Sequence, residues 1–147
     1  MTGSVSLTDS TLQFSAAIDK NGNMSIGPVA AGAAAITASS GNVAAASAVA
    51  TLAAVAAKTT YITGFEATSS GSIAAAVVSL TVAGVITGTM TYTYATVAGA
   101  TLGNTPLIVQ FPAPIPASAL NTAIVVTLPS LGAGNTNATV VAHGFQI

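Results

Sequence analysis

The chain has no cysteine, almost no charge and no unbroken apolar run of membrane length, and each absence removes a class of function. Without cysteine there is neither a disulfide nor a thiolate metal site, so stability must come from packing and association. Full charge is confined to Asp9, Asp19, Lys20, Lys58 and Glu66, and none occurs from Ala67 to Ile147. A domain standing alone in water devotes about a quarter of its residues to charge. A charged fraction of 3% predicts a chain whose surface is largely covered, by copies of itself or by a partner. A net charge of −1, with two lysines far apart, excludes a surface that neutralises nucleic-acid phosphates.

The apolar fraction of 52% suggests a membrane protein at first sight, but alanine inflates it. A spanning helix needs about 20 strongly apolar residues in succession. The nearest candidate, Val43 to Ala57, is short, alanine-rich and interrupted by Ser47 and Thr51. No membrane partner is expected. The opening segment, Met1 to Phe14, lacks the basic residue and apolar stretch of a secretory signal, so synthesis in a cytoplasm is the expectation.

What is present is a series of short alternating runs separated by Gly, Pro and Asn. At 147 residues the chain accommodates one compact domain and an arm. Residues 1–41 read as the arm: Asn21-Gly22 is a hairpin turn signal after the alternating Phe14 to Ile18, and Gly27 to Gly41 reads as an extended linker. Residues 42–147 read as the domain. Val78, Leu80 and Val82 alternate with Ser79 and Thr81; GVITG makes a turn; Met90, Tyr92 and Tyr94 then alternate with threonines. Tyr61 to Thr68, Leu107 to Phe111 and Ile124 to Leu128 are further strands, and Thr139, Val141, His143 and Phe145 share one face of the last. Ala45 to Leu52 is ambiguous between helix and strand; its β context favours strand. The expected fold is an all-β antiparallel sandwich of jelly-roll or Greek-key type with an extended N-terminal arm. Threonine on the faces opposite the apolar ones keeps them wettable without charge.

Chemistry finds little to work with. His143 is the sole histidine, whereas a metal site needs three or four convergent ligands. It reads as a strand residue making a hydrogen bond or facing a subunit. Asp9, Asp19 and Glu66 have no spacing that suggests a general acid and base pair. The LGAGNTN stretch, Leu131 to Asn137, lacks the full spacing and the lysine of a phosphate loop and reads as a turn. Asn137-Ala138-Thr139 fits a glycosylation pattern that has meaning only on a secretory route. FPAPIP, Phe111 to Pro116, reads as a stiff polyproline connection across one end of the sandwich. No catalytic residue, cofactor or metal is therefore expected. Lys58 and Glu66 bracket TTYITGF and read either as solvated strand-end charges or as a contact that fixes register at a subunit interface.

Three blocks carry a family resemblance: GNVAAASAVATLAAVA at Gly41 to Ala56, KTTYITGFE at Lys58 to Glu66, and the segment from Thr105 to Gln146. Together they resemble small virion structural proteins of tailed bacteriophages, of head-decoration or head-fibre type. The resemblance implies a non-enzymatic β-sandwich located in the virion, binding the major capsid protein or another virion protein, with an arm that orders on attachment. A homo-oligomer is expected, a trimer before a dimer. Interface candidates are the five charged residues with Tyr61, Tyr92 and Tyr94. The rival expectation is a tail or fibre module that binds host glycans by stacking sugars on those tyrosines.

Overall fold

The computed structural model describes residues 17–18, 24–25, 33–72, 74, 76–99, 103–132 and 134–147. Among these there is no helix, and the chain runs through ten strands: β1 (Ala17–Ile18), β2 (Met24–Ser25), β3 (Ala34–Ser39), β4 (Ala48–Leu52), β5 (Thr60–Ser70), β6 (Ala76–Val85), β7 (Gly88–Thr96), β8 (Leu107–Pro116), β9 (Ile124–Leu128) and β10 (Asn137–Gln146). Two compact units result, Met1–Ala33 and Ala34–Ile147. In the first, β1 and β2 pair antiparallel, Ala17 opposite Ser25 and Ile18 opposite Met24. They flank the Asn-Gly signal, which itself lies outside the described residues.

The second unit consists of two four-stranded sheets, β3-β10-β5-β8 and β4-β9-β6-β7, antiparallel throughout. Both sheets contribute to one core, a two-layer, sandwich-like arrangement. Period-two burial explains why these segments are strands. Ala48, Ala50 and Leu52 of β4 are buried while Val49 and Thr51 are exposed, and Ile124, Val126 and Leu128 of β9 are buried between half-exposed neighbours. Alternation overrides alanine's helical preference in β4, because the small side chain faces an inner layer already filled by Phe65, Leu80 and Ile62. On β10 the inner face is Ala138, Val140 and Ala142, so Thr139, Val141, His143 and Phe145 share the opposite face, as expected from their spacing.

Two readings of the sequence are corrected. Ala34–Ser39, read as part of a linker, is an edge strand hydrogen-bonded to β10, from Ser39 opposite Val141 to Ala34 opposite Gln146. Its Ile36 and Ala38 pack on the core, which is enough apolar surface to hold a strand despite the flanking Gly and Ser. The FPAPIP segment is likewise strand, the second half of β8, and not a crossing connection. Proline is tolerated because β8 is an edge. Between Gln110 and Ile115 the register with β5 shifts, so Pro112 and Pro114 fall where the ladder demands no donor. Pro116 turns its nitrogen away from β5: the next residue, Ala117, donates to the Thr60 carbonyl at 2.7 Å, while the Pro116 carbonyl accepts from the Ile86 N–H at 3.0 Å.

Candidate interaction surfaces

The outer face of the first sheet carries the described carboxylate and imidazole of the strands, Glu66 and His143. Glu66 on β5 and His143 on β10 are far apart in sequence, and the register that sets Val141 opposite Glu66 and His143 opposite Gly64 brings them diagonally together. The His143 Nε2 stands 3.9 Å from the Glu66 Oε1, with 38% and 46% of the two side chains exposed. The fold thus gives His143 a carboxylate neighbour that is distant in sequence. Only the β5–β10 pairing could have revealed it, since neither local sequence contains the other. Gly64, opposite His143 on β10 and Gln110 on β8, has no room for a side chain: a Cβ there would lie 2.6 Å from the Val109 carbonyl oxygen and 2.7 Å from the Gln110 Oε1. Ile108, opposite Glu66 on β8, is 61% exposed and completes an apolar margin. Such an exposed pair in water is worth little. Glu66→Gln is expected to shift unfolding stability by less than about 0.5 kcal/mol at neutral pH, measured by denaturant titration.

Lys58 does not meet Glu66 within the chain. It lies in the turn between β4 and β5, where its N–H donates to the Val55 carbonyl at 3.1 Å and its carbonyl accepts from the Asn121 N–H at 3.0 Å. Eight residues of mostly extended chain, roughly 25 Å, separate it from Glu66. Asp9, Asp19 and Lys20 lie outside the described residues.

The three tyrosines have different fates. Tyr94 is 2% exposed, its hydroxyl 2.9 Å from the Ser69 Oγ, which in turn accepts from the Asn104 Nδ2 at 2.5 Å. The Asn104 Oδ1 accepts from the Val97 N–H at 2.7 Å, so this polar knot ties β5, the end of β7 and the loop before β8. Tyr94 is a core residue and offers no platform to a ligand. Tyr92 is half-buried, edge-on to Phe65 at 5.1 Å, and burial pushes its phenol pKa up. Tyr61 stands on the outer face, stacked at 4.8 Å on Phe145.

The outer face of the second sheet is free of charge. One row across its four strands reads Val49, Thr127, Thr81 and Thr91, each opposite the next. The neighbouring pairs are Ser79 with Thr93 and Val77 with Ala95, Val77 being 71% exposed. Threonine hydroxyls alternate here with valine and alanine, a surface able to hydrogen-bond without the desolvation cost of charge. Among the described residues no three His, Cys, Asp or Glu side chains converge on a metal-sized site, and no helix is long and apolar enough to cross a membrane. Comparison with protein-family models, curated proteins and solved structures finds no match to this chain.

Proposed function

We propose that this chain is a non-enzymatic structural protein of a tailed-bacteriophage virion, a decoration or cement protein that binds the outer surface of the head and stabilises it. The observation that carries this reading is the charge-free outer face of the β4-β9-β6-β7 sheet, a broad surface of exposed Val, Thr, Ser and Ala. A neutral face is suited to burial against another neutral face, because neither side must strip water from an ion. The resemblance of the blocks from Gly41 to Glu66 and from Thr105 to Gln146 to virion proteins supplies the identity of the partner, the major capsid protein or a neighbour of it.

We propose further that the fold is a jelly roll. Its support is the nesting of the pairs: β6 with β7, β5 with β8 outside them, then β4 with β9, then β3 with β10. A single long antiparallel hairpin, wrapped upon itself, generates this order. The segment before Ala34, which holds Asp9, Asp19 and Lys20, would act as the attachment arm.

Salt decides between neutral and ionic attachment. Particles carrying the protein, washed at ionic strengths from about 0.1 to 1 M, are expected to retain it, since screening at about 3 Å acts only on charge. Release into the high-salt wash would overturn docking through the neutral face. Absence of the chain from purified particles would overturn the virion assignment.

A further inference from the structure

We propose that the free edge of β7 joins two copies of this chain, antiparallel about a two-fold axis at Tyr92, fusing their β4-β9-β6-β7 sheets into one. This goes beyond the virion reading and does not depend on it.

Among the described residues the two four-stranded sheets have four edge strands, β3, β8, β4 and β7. Edges normally carry protection: short length, lysine, proline or a bulge. Here β3 and β4 are short, with six and five residues, and β8 holds three prolines and a register shift. β7 has neither lysine nor proline, and the one register shift in its pairing, between Val82 and Val85, puts the extra residue on β6 and leaves β7 itself regular. Its nine residues, GTMTYTYAT, contain no proline, no charge and a run of threonine and tyrosine, the residues that best suit a strand. Such an edge calls for a cover.

The backbone says which groups are offered. Ala76 turns both its N–H and its carbonyl towards the Thr96 Oγ1, so it faces β7. Alternation along the ladder then points Val78, Leu80 and Val82 at Tyr94, Tyr92 and Met90, and leaves the N–H and carbonyl groups of Thr91, Thr93 and Ala95 pointing away from β6. A row of outward groups of this kind is a template for another strand.

The sequence says which strand. Thr91-Tyr92-Thr93 is its own mirror image about Tyr92, and Met90 and Tyr94 flank it with large side chains on either side. A second copy run antiparallel places Thr91 opposite the partner's Thr93 and Thr93 opposite the partner's Thr91, on the exposed face. Those are the residues whose backbone groups point outward, so each pair exchanges two hydrogen bonds. Tyr92 meets its own copy on the inner face. Opposed threonines pair favourably, and hydroxyls, being both donor and acceptor, suit a self-complementary contact. The threonine row from Thr127 through Thr81 to Thr91 then continues unbroken into the second molecule.

Because the chain has no cysteine, single introduced thiols test this cleanly. Thr91 and Thr93 are exposed, so the substitutions leave the core intact. Under mild oxidation a mixture of Thr91→Cys and Thr93→Cys copies is expected to give a disulfide-linked heterodimer, while a control mixture of Thr51→Cys with Thr93→Cys does not. Sedimentation of the unmodified full chain is expected to show a reversible dimer, weakened at least about tenfold by Thr91→Lys with Thr93→Lys, which sets like charges opposite each other. A monomer at about 100 µM, a trimer, or a dimer whose Thr91→Cys and Thr93→Cys mixture fails to cross-link overturns the proposal.

Discussion

Phe65→Ala is expected to lose about 3 to 5 kcal/mol of folding stability, read from the midpoint of denaturant unfolding. The ring is fully buried at the centre of β5 and is the largest of the fully buried side chains. It meets Tyr92 edge-on at 5.1 Å and Phe111 at 6.4 Å, so it binds its own sheet to the facing one through β7. Much of the remaining inner layer is alanine: Ala48, Ala50, Ala67, Ala138 and Ala142. Residues so small, on strands held by their ladders, cannot close over the space an aromatic ring vacates, and the cost of a cavity grows with the volume left open. Since a domain of this size is stable by about 5 to 15 kcal/mol, the variant should stand close to unfolding. A loss below about 1 kcal/mol would show that Phe65 is not the keystone of the core.

The second large effect is expected at Gly84, near the end of β6. Its φ is +85°, and a Cβ built there would lie 2.2 Å from the Ala123 carbonyl oxygen. Gly88, on the other side of the Ile86-Thr87 turn, has φ of +83° and nothing within 4 Å of the same position. Substituting alanine imposes the left-handed penalty on both, about 1 to 2 kcal/mol. Only Gly84→Ala adds a backbone collision, which must be relieved by separating β6 from the approach to β9 at a further cost of about 1 to 3 kcal/mol. The difference between the two variants therefore isolates the steric component. Thermal unfolding of both under one condition measures it, and equal losses would show that the close approach of Ala123 is readily relaxed.

Strand positions were legible because alternation is local. Val78 to Val82, Met90 to Tyr94 and Ile124 to Leu128 each turn every second residue towards the core, and this pattern is visible in a few consecutive letters. One edge strand, β3, and half of another, β8, were not legible. β3 hides among Gly, Ser and Ala because its stability comes from β10 at the far end of the chain. The second half of β8 hides behind prolines that are tolerable only where one side of the strand has no partner. The Glu66 and His143 contact was likewise invisible, since it exists only once β10 is laid against β5 in the observed register. Tyr92 and Tyr94 show the converse limit. Their spacing showed a shared face, but whether that face met solvent or Phe65 and Ser69 depended on the opposite sheet.

The pairing of β3 with β10 sets Ala34 directly opposite Gln146. The chain thus enters and leaves this unit at neighbouring points, about 5 Å apart, on one margin of one sheet. Whatever is joined before Ala34 or after Gln146 departs from the same corner of the sheet. A unit whose two ends meet in this way can be spliced into a surface loop of another protein with little separation demanded of the loop's two ends.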